Sequence, residues 1–187
     1  MTTDYDCLAT TRLEVDAASV SFTSISQDYA DLQLVISAAQ NSTTYYGAAV
    51  VKFNNTTGSY NIAYTLVALG NTGYTGDTYT ALAYNTTEGS PVWRVGTRNE
   101  DPSNGGWGAL ELLIPAYTST SHWQVCLSNG GHSGGEAGVD NRDNASDVGI
   151  FQWCNTAAIT QIDLAPFSTG SGVWLRGSVF SLYGISD

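Results

Sequence analysis

Charge is scarce in this 187-residue sequence, and positive charge most of all. Asp, Glu, Lys and Arg together make up 12% of the chain, about half of the ~25% usual for soluble proteins. Lys52 is the single lysine, and six basic residues face 17 carboxylates, for a formal net charge of -11. Nucleic-acid binding runs on cations that displace condensed counterions, so this balance argues against a nucleic-acid partner and equally against an anionic membrane. No apolar run approaches the ~18 residues of a membrane-spanning helix. The opening MTTDYDCLATTRLEV carries neither a basic segment nor an apolar one, so we expect no secretory signal and synthesis in a cytoplasm. The three cysteines, Cys7, Cys126 and Cys154, are odd in number and lack C-x-x-C spacing. They fit neither zinc nor a disulfide framework and are expected as small, reduced core residues.

Catalytic patterns are missing too. There is no G-x-S-x-G, no S-x-x-K and no Cys–His pair at a family spacing, so we expect no enzyme and no catalytic residue. Of the two histidines, His122 precedes Trp123 in an expected strand and reads as structural, while His132 sits in an expected glycine loop. Glu111, within GALELLIPAY, is the most interesting carboxylate for glycosidase chemistry, which needs two. An outward-facing strand residue is the simpler reading of it.

What the sequence has in abundance is alternation. In ADLQLVISA the residues Leu32, Leu34 and Ile36 fall on one side of a strand and Gln33, Val35 and Ser37 on the other. Similar runs are YDCLATTRLEV, ASVSFTSI, GAAVVKFN, SYNIAYTLVAL, DTYTALAY, PVWRVG, SHWQVCLS, VGIFQWC, ITQIDL and VWLRGSVFSLYGI. Segments rich in Gly, Asn, Asp and Ser separate them, as turns require. The expected fold is all-β: one antiparallel β-sandwich, jelly-roll-like, forming a single domain over residues 1–187. Tyr29 to Leu34 could hold a helical turn at most. The stretch from Ser128 to Val148 is the longest turn-rich region and the first place to look for a contact surface.

Two ligand readings follow. Asp140, Asp143 and Asp147, with Asn141 and Asn144, are hard oxygen ligands close in sequence and would suit calcium. Ala145 stands where an EF-hand loop needs glycine and no bidentate Glu follows, so a solvated acidic loop is favoured and no cofactor is expected. Among the five tryptophans, Trp93, Trp123, Trp153 and Trp174 lie in strand-like runs and are expected in the core or between subunits. Trp107, in PSNGGWG, is the loop tryptophan that could stack on a sugar. Five Asn-x-Ser/Thr triplets, starting at Asn41, Asn54, Asn55, Asn85 and Asn144, read as accidents of composition that stay unmodified.

The two ends of the chain carry a further pattern. Tyr5-Asp6, Val20-Ser21-Phe22 followed by Ile25, and Tyr29-x-x-Leu32-x-Leu34 stand at one end. Ala158-Ile159-Thr160 and Ser178-x-Phe180-x-Leu182-Tyr183-Gly184 stand at the other, and GALELLIPAY lies between. This pattern resembles a family of small β-sandwich virion proteins of tailed bacteriophages, of the capsid-decoration and tail-fibre type, over a little more than a third of the chain. The resemblance implies a structural virion protein made in the host cytoplasm, homotrimeric, in contact with other virion proteins, and without an active site. It leaves open a carbohydrate-binding module for a host surface glycan, with or without calcium, and behind it a glycan depolymerase. The resemblance also leads us to expect the first and last strands side by side in one sheet. Strands apolar on both faces, Gly47 to Val51 and Val173 to Leu175, suggest that a neighbouring subunit covers one of those faces.

Overall fold

The computed structural model describes residues 4–41, 47–56, 60–68, 78–84, 90–98, 107–132, 145–167 and 172–186. Thirteen strands run through them: β1 (Tyr5–Arg12), β2 (Val20–Phe22), β3 (Asp31–Asn41), β4 (Gly47–Phe53), β5 (Tyr60–Ala68), β6 (Thr78–Tyr84), β7 (Ser90–Arg98), β8 (Gly108–Ile114), β9 (Gln124–His132), β10 (Ala145–Trp153), β11 (Ile162–Phe167), β12 (Val173–Trp174) and β13 (Val179–Ile185). The all-β expectation holds, and no helix occurs among the described residues.

Strand β3 organises the molecule. Its first part pairs with β8 on one side and β13 on the other, inside a large antiparallel sheet ordered β1-β13-β3-β8-β9-β10-β5-β6. Its last residues, Ala39 to Asn41, pair instead with β7 in a short parallel ladder. Through β7 they join the smaller antiparallel sheet β2-β11-β4-β7. The two sheets pack face to face as a sandwich, and β3 is the seam between them.

Alternation along β3 decides what lies inside. Leu32, Leu34 and Ile36 are all buried. Leu34 pairs with Leu182 and Leu112, and Ile36 with Phe180 and Leu110, so apolar rows cross three strands. From the small sheet, Phe22, Ile162 and Phe53 form one facing row and Val20, Leu164 and Val51 the next. Phe53 bridges the layers, stacking on Phe151 at 5.8 Å between centroids and meeting Trp153 edge-on at 5.5 Å. The two core tryptophans also satisfy their indole N–H groups, as burial demands: Trp153 donates to Thr56 Oγ1 at 3.1 Å and Trp174 to the Leu164 carbonyl at 3.3 Å.

The first and last strands do lie side by side, with Tyr5 opposite Ile185 and Arg12 opposite Val179. A bulge at Cys7/Ala9 interrupts that ladder. β1 forms the sheet edge and β13 is interior, held between β1 and β3. Tyr29 clasps this corner from inside. Its ring lies where a Cβ on Gly184 would be, only 2.4 Å from that position, so no larger residue fits there.

Several expectations are corrected. The run VWLRGSVFSLYGI is two strands, broken at Gly177, whose φ of 92° lies in the left-handed region. Tyr29 to Leu34 holds no helical turn, because β3 already begins at Asp31. Both ends of the stretch 128–148 are ladder: β9 continues to His132 and β10 starts at Ala145, paired with each other, while residues 133–144 lie outside the described residues. Gly130 permits this, since a Cβ there would sit 2.9 Å from the Ala109 carbonyl. His132 therefore ends a strand. Val50, expected to need a neighbouring subunit, is buried within the single chain at 6% exposure, between Ala49 and Val51 at 0%.

Asn54 fastens the turn after β4 to the segment that leads into β11. In a left-handed conformation, φ 51°, its amide donates to the Ala158 carbonyl at 2.8 Å. Its Oδ1 accepts from the backbone N–H groups of Thr160 at 2.8 Å and Gln161 at 3.1 Å, and from the Thr160 hydroxyl at 3.2 Å. The asparagine of a triplet expected as an accident of composition is thus a structural clasp.

Candidate functional site

A sheet in a sandwich has one face in the core and one free, and the free face of the large sheet carries the chemistry. Along β8, Leu110, Leu112 and Ile114 point inward while Ala109 and Glu111 point out. Trp107, two residues before Ala109, continues the outward series and is 46% exposed. Its ring edge reaches towards the turn between β12 and β13, with Cη2 lying 3.3 Å from where a Gly177 Cβ would be. The turn backbone thus supports a tryptophan that stays open to solvent.

Across β3, β8 and β9 the free face hollows into an open trough of 320 Å³ bordered by Val35, Ala109, Leu110, Glu111, Asn129, Gly130 and Gly131. Ala109 opposite Gly131 leaves the hollow, because neither projects a large side chain. Glu111 stands directly opposite Asn129 on one side and Val35 on the other. The Glu111 and Asn129 side chains hydrogen-bond to nothing among the described residues. Glu111 is the trough's one carboxylate, whereas glycoside hydrolysis needs a pair about 5–10 Å apart.

Further along the same face lies an apolar strip. Leu113, Leu127 and Ile150 are aligned across β8, β9 and β10. Val125, Leu127, Val148 and Ile150 are 41%, 44%, 61% and 48% exposed, and Trp123 flanks them at 49%. Ordinary surfaces scatter such residues singly; here they are contiguous. Sequence reasoning missed this strip, although the signal was there: in QVCL and VGIF apolar residues occupy both strand faces.

The other candidates separate. Trp153 and Trp174 are core, Trp123 is on the surface, and the Trp93 side chain lies outside the described residues. Asp140 and Asp143 lie outside the described residues, as does the side chain of Asp147, whose backbone belongs to β10. No group of metal-binding side chains occurs among the described residues. His122 is exposed in a bend ahead of β9 rather than in the strand, because Gln124 is the first residue to pair with β10. Its Nδ1 meets the hydroxyls of Ser119 at 3.0 Å and Ser121 at 3.2 Å. These are contacts within one turn, and no carboxylate or oxyanion donor accompanies them among the described residues.

Only Cys126 of the three cysteines is a core residue, and burial pushes its thiol well above the ordinary value of 9.0. Cys7 is exposed on the edge strand and Cys154 is half-buried. Gln40 is fully buried at the seam with both amide atoms unpartnered. No described helix could cross a membrane. No protein-family model matches the chain, and no curated protein is significantly similar to it.

Proposed function

We propose that this protein is a non-enzymatic structural subunit of a tailed-bacteriophage virion, a capsid decoration or a tail fibre or knob component, that works as a homo-oligomer. The observation that carries the assembly reading is the apolar strip of Leu113, Val125, Leu127, Val148 and Ile150 on the free face of the large sheet. Two copies of a chain with net charge -11 repel each other at long range. They approach most readily through a surface without carboxylates, and none of those five side chains is charged. Interface cores are likewise apolar and depleted in charged residues. The virion reading rests on the resemblance in the first and last strands. It is supported by their interlocked pairing, which suits a particle exposed to proteases outside the cell.

Sedimentation at micromolar concentration tests the assembly. The expected result is a stable oligomer, a trimer by the same resemblance, that persists in high salt because apolar contacts are not screened. Leu127→Asp should return it to monomer while leaving the fold intact, since Leu127 already faces solvent. A wild-type monomer of 19.8 kDa at both salt concentrations would overturn the reading. Copy number per particle, relative to the major capsid protein, then separates capsid surface from tail.

A further inference from the structure

We infer that the trough on the free face of the large sheet is the socket for Trp123 of a second copy of this chain. This rests on the assembly reading of the apolar strip and not on the virion reading.

Trp123 stands one residue before β9 and continues its outward series: Trp123, Val125, Leu127 and Asn129 are exposed, while Gln124, Cys126 and Ser128 are buried. An indole combines a large apolar surface with one hydrogen-bond donor and no acceptor, and it finds a partner for that donor when buried. Trp153 and Trp174 meet this condition inside the chain, through Thr56 and the Leu164 carbonyl. The Trp123 indole N–H donates to nothing among the described residues, and its ring is 49% exposed.

The trough supplies what that side chain lacks. Its 320 Å³ is about ten times the ~30 Å³ share of one water, room for a single indole. Ala109, Gly130 and Gly131 keep its floor low and without charge, and Glu111 stands at its border opposite Asn129. The Glu111 carboxylate is an acceptor only and the indole N–H a donor only, so each completes the other, and a hydrogen bond to an ionised acceptor is among the stronger kinds.

Trp123 cannot reach the trough of its own chain. From Trp123 to Gly131 the extended backbone advances about 27 Å. Between them lies the apolar strip, with Leu127 midway. Indole, strip and trough therefore share one face, and a second copy laid antiparallel over Leu127 brings each Trp123 to the other's trough. A closed head-to-tail ring makes the same exchange, every copy giving one indole and taking one. Trp107 is not the inserted group, because its ring edge already lies against the Gly177 turn.

The test uses the full chain and reads self-association by sedimentation equilibrium. Trp123→Ala should weaken it about tenfold or more, as truncation of a tryptophan anchor does. Ala109→Leu fills the trough from an exposed position and should weaken it to a similar degree. The double variant should be no more than about twofold worse than the weaker single variant, because both changes break one contact. Trp107→Ala should associate as the wild type does. Circular dichroism should stay unchanged throughout, since all three positions face solvent. An oligomer that Leu127→Asp dissociates but Trp123→Ala leaves intact would overturn the socket and keep the strip, whereas a wild-type monomer would overturn both. Losses that multiply in the double variant would also overturn the socket, since Trp123 and Ala109 would then act at separate places.

Discussion

Asn54 shows how much one side chain can hold. It anchors the 158–161 segment through four hydrogen bonds, and its backbone occupies a left-handed conformation that asparagine tolerates better than most residues. Asn54→Ala should therefore lose both the clasp and the conformational fit, at a cost of about 2–4 kcal/mol. Asn54→Gly keeps the conformation and should be less destabilising by roughly 1 kcal/mol. Urea denaturation of the two variants measures the split, and equal midpoints would mean that the backbone carries no strain. Nothing in the local sequence announces this role, because the partners Ala158, Thr160 and Gln161 lie more than a hundred residues away. The exposure of Trp107 was legible from its glycine-rich surroundings. The place of Asn129 opposite Glu111 was not, since it arises only from the β8–β9 register.

At the level of elements, β13 is the strand on which the large sheet depends. It lies between β1 and β3 and contributes Phe180, Leu182 and Ile185 to buried positions. Each large apolar side chain is worth about 1.5–3 kcal/mol on burial, against a total stability of ~5–15 kcal/mol for a typical domain. Deleting residues 180–187 should leave the protein insoluble or unfolded, and the graded variant Leu182→Ala should stay folded with a loss of about 2–5 kcal/mol. Soluble yield and melting temperature read both outcomes. A truncated protein that melts within a few degrees of the intact one would show that β13 is dispensable. The sequence pattern showed that this segment is extended and apolar. It did not show the break at Gly177, where a left-handed turn returns the chain from β12 to β13, because glycine inside an apolar run is compatible with an uninterrupted strand. The same ambiguity ran the other way in β9, where Gly130 and Gly131 looked like loop and proved to be ladder.

For the molecule as a whole, groups with raised pKa values make alkaline pH the sensitive direction. Burial raises Cys126 well above 9.0 and raises Tyr117 above 10.0, the latter with help from the Asp28 charge. Tyr29 is raised by its hydrogen bond to the Asp6 carboxylate, then by burial and the charges of Asp6 and Asp28. Each group keeps its proton in the folded state after the unfolded chain would have released it. Their contribution is thus fully present below the unfolded values and is lost as pH rises through them. The unfolding free energy read from urea denaturation should fall from about pH 9 upward, by at most about 1.4 kcal/mol per pH unit for Cys126, and Cys126→Ala should remove the earliest part of that fall. A midpoint that stays flat to about pH 11 would contradict it. Period and composition by themselves determined that this chain is built of strands and that Leu32, Leu34 and Ile36 share the buried side, because alternation is a local property written in consecutive residues. Which free face remains uncovered was decided only by tertiary pairing. Val50 and Ile150 both sit in strands with apolar residues on both faces, yet Val50 is 6% exposed and Ile150 48%. The difference comes from what the rest of the chain lays over each sheet, and neighbouring residues carry no record of that.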